Sequence, residues 1–485
     1  MADGALSRKA MVVAAGNAVQ MLIAQIAVNL FLVRLLPSQE VFGTYRQVWL
    51  LLNTLFPILM FGMHFAAYYY MPGLGPTARR TFVIRSMLVL LAVGAVSAAL
   101  LWWQAAPLAG FFRNPAAEPV LRAAAPYLDL TLPASFLFHA FIAVDRQWSA
   151  VIWNLGFFIP QSVLIVLLVW TDVPLDRLFL SLALLTAVRG LVALVEIHRA
   201  FPRAGAEPHL PVATALAYAV PVGMVSVVAI LGEKIDKYVV SAWLDPERFA
   251  LYSVGAVEFP LCVLVATAAF TVMRPRIASM HHQGDATGIA RFWRAATWKL
   301  ALVIFPSVVY LALVATPLMR FLYTDAYVSA DAVFRLYLGL TVFRVVAAEP
   351  LLSSTGRTRH VFWGGWLFLV LDLALNVALV RPLGLWGPPL GTVLATGLLT
   401  LGYVAFAARA LRVSVAALLP LRGLLVLALL SALAGVPVLW VLARDWSPLV
   451  TLLAAAGAFS AAYLALVLGF RQASVEDFRR LLPGK

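Results

Sequence analysis

The sequence predicts an all-α polytopic membrane protein with about 14 transmembrane helices, arranged as two pseudo-symmetric six-helix lobes plus two C-terminal helices. The chain has 485 residues, of which 63% are hydrophobic and only 12% are charged, and its mean hydropathy is +0.92. A soluble domain has about 45–50% apolar and about 25% charged residues, so this chain has too little polar surface to be covered in water. Apolar runs of about 20 residues, long enough to cross the hydrocarbon core, recur along the whole chain.

The individual spans follow from apolar runs bounded by charged residues, Pro and Gly. The first six lie near 11–36, 42–70, 81–104, 119–142, 149–170 and 178–198. The next six lie near 212–243, 250–273, 293–315, 331–352, 361–381 and 387–409, and the last two near 421–443 and 448–470. The predicted domains are an N-lobe (1–200), a cytoplasmic linker rich in Pro and charge (201–211), a C-lobe (212–410) and two additional spans with a C-terminal tail (411–485).

Charge gives the orientation of these spans. The formal net charge is +14, but the arginines are spread between the apolar segments rather than massed in one basic domain, which argues against a nucleic-acid partner. Lys and Arg accumulate in cytoplasmic loops, and the loops on the N-terminal side contain most of them. We therefore expect a multi-pass membrane protein with both termini in the cytoplasm. The first apolar run shows no clear cleavage site of a signal sequence.

A short phrase occurs twice and indicates an internal repeat. "QEVFGTY" contains Glu40, Phe42 and Tyr45, and "PERFALY" contains the same residue types 207 positions later, the first being Glu247. Each phrase joins two predicted spans on the external side. Six spans separate the phrases, so the two halves have the same orientation and we expect an axis along the membrane normal.

Three segments resemble the oligosaccharide and polysaccharide flippases of the multidrug/oligosaccharidyl-lipid/polysaccharide exporter superfamily. They are "NLFLVRLLPSQEVFGTYRQVWLL" (29–51), "KIDKYVVSAWLDPERFALYSVG" (234–255) and "LDLALNVALVRPLGLWGPPLGTVLAT" (371–396). One departure is that the usual Gly-Pro before the first turn is replaced by Leu36-Pro37-Ser38.

This resemblance implies two six-helix lobes in a V and two additional helices. The family moves lipid-linked sugars, usually undecaprenyl-pyrophosphate oligosaccharides, from the cytoplasmic to the outer leaflet. The resemblance also implies that spans one, two, seven and eight line the central cavity.

Span seven carries the densest charge group within an apolar run, "GEKIDKY". Lys234 and Lys237 are candidate contacts for a substrate phosphate, and Asp236 is a candidate for ion coupling. Glu233 lies four residues before Lys237, the favourable order for a pair on one helix face. The alternative interpretation is a solvated, self-paired patch at the outer interface.

Glu258 is the most unusual acidic residue, because apolar residues follow it in span eight. A carboxyl group in the membrane suits exchange of a coupling proton or cation, whereas the alternative is a structural hydrogen bond to a neighbouring helix. Pro260 either frees a backbone carbonyl for an ion site or kinks the helix. Asp372, which forms a helical i,i+4 pair with Asn376, is a further candidate for ion coupling.

The other candidate substrate contacts are spread over three spans. Gln25 and Asn29 in span one suit either sugar contacts or hydrogen bonds between helices. Arg34, Arg46 and Arg344 could contact phosphate, since guanidinium binds phosphate bidentately. The alternatives are an interfacial arginine at 46 and pairing between helices at 344.

Three function classes compete. We expect a flippase for lipid-linked oligosaccharides or polysaccharide repeat units, working by alternating access and driven by a proton or sodium gradient or by membrane potential. The alternative is a small-molecule or drug antiporter of the same superfamily. A membrane sugar ligase or polymerase is less favoured, because no loop clearly exceeds about 20 residues. We therefore expect no enzyme activity and no cofactor; the expected partners are the lipid-linked substrate, membrane lipids, a coupling cation and proteins of polysaccharide polymerisation or export.

Overall fold

The computed structural model of the protein describes residues 12, 13, 15–20, 23, 29–201 and 210–470, and every regular element within them is helical. The chain divides into two compact units, Met1–Ala250 and Leu251–Lys485. The prediction of an all-α fold is therefore confirmed. The predicted lobe boundaries at 200, 211 and 410 stay a prediction.

The N-terminal unit is built from nine helices and the start of a tenth, within the described ranges that begin at residue 29. They are α1 (Asn29–Leu35), α2 (Gln39–Leu59), α3 (Met63–Tyr70), α4 (Pro76–Trp103), α5 (Ala105–Phe111), α6 (Ala117–Ala143), α7 (Gln147–Trp170), α8 (Leu175–Ala200), α9 (Val212–Trp243) and α10 (Pro246–Gly255). A 3₁₀ turn, Met71–Gly73, follows α3. Its core includes the fully buried side chains of Met63, Val83 and Phe136, contributed by α3, α4 and α6.

The C-terminal unit continues with eleven more helices in the described part of the chain. They are α11 (Pro260–His282), α12 (Ala286–Leu313), α13 (Ala315–Leu322), α14 (Ala330–Val345), α15 (Glu349–Ser354), α16 (Thr358–Leu383), α17 (Gly387–Leu411), α18 (Val415–Leu418), α19 (Leu421–Ala434), α20 (Val436–Leu442) and α21 (Pro448–Gly469). The last three pack against α12 through a core that includes Leu427, Val438 and Phe459.

Helix lengths recur along the chain. Helix α4 has 28 residues and is followed, after a single residue, by the seven-residue α5. Helix α12 also has 28 residues, begins 210 positions after α4, and is followed after a single residue by the eight-residue α13. This recurrence is what an internal repeat predicts.

Gly43 of the first repeated phrase lies against Pro246, the first residue of the second phrase, within the N-terminal unit. A Cβ atom at Gly43 would lie only 2.0 Å from the backbone oxygen of Pro246. The first helical turn of α10 therefore packs directly on the backbone of α2, and glycine is required at 43.

Eleven helical segments in the described part of the chain are long and apolar enough to cross a membrane, so the protein is a multi-pass membrane protein. One of these segments, Thr358–Leu411, contains both α16 and α17. The first predicted span, near 11–36, is described only in part. The count of 14 spans therefore stays a prediction.

Helix breaks interrupt two of the membrane-crossing segments, Gln39–Gly73 and Ala330–Ser354, and one break immediately precedes a third segment, Pro260–His282. Helix α2 gives way to α3 at 60–62, where Phe61 and Gly62 have φ values of 44° and 71°. Gly62 suits this left-handed conformation, and it lies against the backbone of Ala219 in α9. The other interruptions, at 256–259 and 346–348, both lie in the C-terminal unit.

Candidate functional site

The gap between α10 and α11 places a carboxylate outside regular helix. Glu258 lies in this gap, and Phe259 has φ −67° and ψ 118°. Pro260 explains the extended conformation, because a proline disfavours helical geometry in the residue before it. Proline then suits the first helical position of α11, where its missing N–H is not needed. Irregular backbone inside a membrane is tolerated where it is buried in protein or lines a water-filled cavity.

Arg344, the penultimate residue of α14, binds this carboxylate with two parallel hydrogen bonds. Its Nε donates to one Glu258 oxygen at 2.5 Å, and its Nη2 donates to the other at 2.7 Å. The Glu258 side chain is 24% exposed and the Arg344 side chain 36% exposed. Such bidentate, charge-assisted pairs are stronger than hydrogen bonds between neutral groups. The pair therefore joins two interrupted helices at their breaks.

Helix length places this ion pair deep in the membrane-crossing segments. Arg344 lies 14 residues after Ala330 in the membrane-crossing segment Ala330–Ser354, or about 21 Å along α14, and its contact with Glu258 brings that carboxylate to a similar depth. A hydrocarbon core is about 30 Å thick. Coupling sites of secondary transporters are typically built near mid-membrane from discontinuous helices. The geometry of this pair matches that description.

A second ion pair links the same two segments. Nη2 of Arg274 in α11 lies 3.2 Å from an oxygen of Glu349, the first residue of α15. Both side chains are substantially exposed, so this pair contributes less than the Glu258–Arg344 pair. Together the two ion pairs connect the segment α10–α11 with the segment α14–α15. The Glu258–Arg344 pair lies at the helix breaks, and the Arg274–Glu349 pair lies after them.

Asp372 lies in a buried polar cluster between α16 and α17. The Asn376 amide donates to Oδ1 of Asp372 at 2.8 Å and also to the hydroxyl oxygen of Thr392 at 3.3 Å. Asp372 and Asn376 are completely buried. The predicted i,i+4 pair thus forms, and it bonds to the neighbouring helix. Its role in ion coupling stays a prediction.

The charges of span seven lie in the C-terminal third of α9. Lys234 contacts its neighbour Glu233 at 3.5 Å, and Lys237 contacts Asp236 at 3.4 Å. The lysine side chains are 20% and 19% exposed, whereas Asp236 is buried. The charges therefore pair between adjacent residues, and both lysine side chains are partly exposed.

The candidates of spans one and two are only partly described. Gln25 lies outside the described residues, and Asn29 is described only as the first residue of α1. Arg34 donates from Nη1 to the backbone oxygen of Leu30 at 2.9 Å, one turn earlier. Arg46 is half-buried on α2. The roles of these four residues as substrate contacts stay predictions.

The sequence prediction missed a buried amide network near the first repeated phrase. Gln47 donates to the Ser241 hydroxyl at 2.9 Å and accepts from the Asn114 amide at 2.7 Å. Asn114 also donates to the hydroxyl of Thr44 at 2.8 Å. All four side chains are at most 3% exposed. Gln47 inside an apolar helix was the available signal, but its partners come from distant segments.

No group of three or more His, Cys, Asp and Glu side chains is arranged to hold a metal ion in the described part of the chain. The sites above are thus built from ion pairs and amides.

Comparison with known proteins adds a family and a fold. Residues 32–332 match the family model described as "Polysaccharide biosynthesis protein". A comparison with curated protein sequences found no significant match. Among solved structures, the chain is similar to the lipid II flippase MurJ in an inward closed conformation, with a TM-score of 0.68 and 13% identity, covering 95% of this chain and 99% of the flippase.

Two transporters of the MOP superfamily are also similar in fold. One is a multidrug resistance transporter of the MATE family in an inward-facing conformation, with a TM-score of 0.58, 14% identity, and coverage of 81% of this chain and 94% of the transporter. The other, from Pyrococcus furiosus, is described as having a binding pocket of reversed polarity; its TM-score is 0.52 at 15% identity, covering 84% of this chain and 94% of that transporter.

Proposed function

Because the chain belongs to the polysaccharide biosynthesis protein family, whose model matches more than half of it, we propose that it flips lipid-linked oligosaccharides or polysaccharide repeat units across the bacterial inner membrane. The substrate class would be undecaprenyl-pyrophosphate oligosaccharides, and both termini would lie in the cytoplasm. The observation that carries the proposal is the likeness in fold to a lipid II flippase over 95% of this chain.

The extent of that likeness favours a flippase over the alternative, a multidrug or small-molecule cation antiporter. The two MOP transporters cover 81% and 84% of this chain, although 94% of each transporter is matched. The difference corresponds roughly in length to residues 411–485, which follow the second predicted lobe. The flippase matches the chain over nearly the full length of both proteins.

Lys234 and Lys237 are the proposed contacts for the pyrophosphate. Both are cations on a membrane-spanning helix, and each remains about one-fifth exposed. Arg34, Arg46, Gln25 and Asn29 would contribute further contacts from the first hairpin. A lysine ammonium provides three donors and suits phosphate as a point charge. The antiporter alternative offers no comparable use for these cations.

The proposed coupling residues are Glu258, Asp236 and Asp372. To take up a proton or a cation, Glu258 would have to lose the two hydrogen bonds that Arg344 donates to it. The ion pair would therefore separate during each transport cycle. Arg344 would then be released as a phosphate contact, which unites the two roles predicted for these residues. Transport would proceed by alternating access and be driven by an ion gradient or membrane potential.

Flipping of a fluorescent lipid-linked oligosaccharide in proteoliposomes tests the proposal. Lys234→Gln combined with Lys237→Gln should weaken binding by about 1.5–3 kcal/mol per lost contact, the range for hydrogen bonds to charged groups. Lys299→Gln is the matched control, because Lys299 is an exposed lysine of a different helix, α12. Unchanged affinity in the double variant would end the phosphate assignment.

The coupling role is tested in the same vesicles. Glu258→Gln should bind the lipid-linked substrate nearly as well as the wild type but lose the response to an imposed ion gradient. Wild-type gradient dependence in Glu258→Gln would end this role. Export of a fluorescent organic cation by the wild-type protein, without flipping of the lipid, would instead establish the antiporter alternative.

A further inference from the structure

A groove runs between α16 and α17 on the outer face of this helix pair. It has a volume of about 320 Å³ and is lined mainly by apolar side chains, including those of Leu367, Leu371 and Leu398. Gly364 and Gly402 lie within its lining. A Cβ atom at Gly402 would meet nothing within 4 Å, so the missing side chain at this position helps to form the hollow.

The groove reaches from one end of the helix pair to about mid-membrane. His360 lies at one end of its lining and Leu371 at the other, 11 residues or about 16 Å along α16. This length is about half of the 30 Å hydrocarbon core, which is the depth of one leaflet. A lipid chain of a single leaflet would therefore fit along it.

The mouth of the groove is basic. Helices α16 and α17 are joined by a short connection, so the start of α16 and the end of α17 lie at the same end of the pair. Arg359 lies one helical turn before the lining residue Trp363, and Arg409 lies one turn after the lining residue Phe406. His360, the residue after Arg359, stacks its ring on that of Phe406, with 4.2 Å between the ring centroids.

No acidic group neutralises this mouth from within the hairpin. Asp372 is the single carboxylate between residues 355 and 412, and it is buried near the centre of α16. Arg359 and Arg409 are exposed, and within the described ranges no ion pair involves either side chain. Two cations above an apolar groove complement a ligand with an anionic head and a hydrocarbon tail.

We propose that this groove is a specific site for an anionic phospholipid of the leaflet that surrounds Arg359 and Arg409. One acyl chain lies along Gly402 and Leu367, and the phosphate lies between the two guanidinium groups. A bilayer phospholipid fits better than a polyprenyl carrier, because the groove ends after one leaflet's depth. The site lies outside spans one, two, seven and eight, and it does not depend on the proposed flippase activity.

Native mass spectrometry of the full-length purified protein, titrated with phosphatidylglycerol or phosphatidylcholine of the same chain length, tests this site. The wild type should retain phosphatidylglycerol preferentially. Each of Arg359→Gln and Arg409→Gln should weaken phosphatidylglycerol binding about fivefold and leave phosphatidylcholine binding nearly unchanged, from the contribution of one basic residue at a membrane surface. Gly402→Leu should weaken binding of both lipids by filling the groove.

Matched controls separate this site from general lipid contact. Gly457→Leu adds the same side chain at another exposed membrane glycine that has nothing within 4 Å of a Cβ, and Arg422→Gln removes an exposed arginine at the start of α19. Both controls should retain wild-type lipid binding. Two results would overturn the site. One is an unchanged preference for phosphatidylglycerol over phosphatidylcholine in the variant that combines Arg359→Gln with Arg409→Gln. The other is an equal loss of lipid binding in Gly457→Leu and Gly402→Leu. Tighter retention of a polyprenyl phosphate than of phosphatidylglycerol, lost in Gly402→Leu, would overturn the phospholipid assignment.

Discussion

The ion pair between Glu258 and Arg344 should hold the two interrupted segments of the C-terminal unit together. A double-mutant cycle with Glu258→Gln, Arg344→Gln and the combined variant isolates its contribution to the free energy of unfolding. Glutamine keeps a polar side chain of moderate size at both positions. The cycle therefore removes the charges with little change in packing.

The expected magnitude follows from the geometry of the pair. Removing one partner of a fully buried ion pair costs about 3–5 kcal/mol, because the other charge is left uncompensated. The Glu258 and Arg344 side chains are 24% and 36% exposed, so screening reduces this cost to about 2–3 kcal/mol for each single variant. The double variant leaves no uncompensated charge. We therefore expect it to cost less than the sum of the single variants, with a coupling energy of about 1.5–2 kcal/mol.

The assay is reversible unfolding of the purified protein in mixed detergent micelles with increasing dodecyl sulfate. The Glu118–Arg122 pair on α6 is a suitable control, since it joins exposed side chains at i and i+4 with an N–O distance of 2.7 Å. Such helical surface pairs contribute only about 0.3–0.5 kcal/mol. A coupling energy between Glu258 and Arg344 no larger than that of the control pair would refute the reasoning.

Two further predictions concern packing and topology. Gly43→Ala should destabilise the protein by about 1–3 kcal/mol, because the new methyl group overlaps the backbone oxygen of Pro246. The control Gly110→Ala adds a methyl group in open space and should be nearly neutral. Equal midpoints of thermal unfolding for the two variants would contradict the close contact at Gly43. In a background without the single native cysteine, an impermeant thiol reagent outside intact cells should label Asp325→Cys and leave Gln283→Cys unlabelled. The reverse pattern would contradict the cytoplasmic placement of both termini.

The fold was largely predictable from sequence because hydropathy and repetition are strong signals in membrane proteins. Apolar runs located most of the helices, and the repeated phrase indicated two related series. The interruptions were harder to predict. The apolar run near 250–273 appeared as one span, although Pro260 ends the extended gap at 256–259 and α10 has only ten residues. The turn at Gly62 lies in apolar sequence with no polar residue to mark it.

The candidate site was predicted as separate residues and not as an arrangement. Glu258 and Arg344 were both selected because charged groups are rare in apolar runs, but they were assigned to different roles. Their contact joins positions 86 residues apart and depends on how α14 packs against the gap after α10. The network around Gln47 was missed for the same reason, since its partners Asn114 and Ser241 come from other helices. Local sequence pattern contains no information on such contacts.

The late position of Arg344 in the chain has a consequence for biosynthesis. A ribosome adds about 5–20 residues per second, so Arg344 follows Glu258 out of the ribosome by about 4–17 s. During that time Glu258 has no guanidinium partner, and a charged side chain at the centre of an inserting helix costs about 2.5–3.5 kcal/mol. The segment around the gap after α10 therefore stays near the aqueous translocon or the interface until α14 is made. We therefore expect this part of the C-terminal unit to be completed only after α14 has been synthesised.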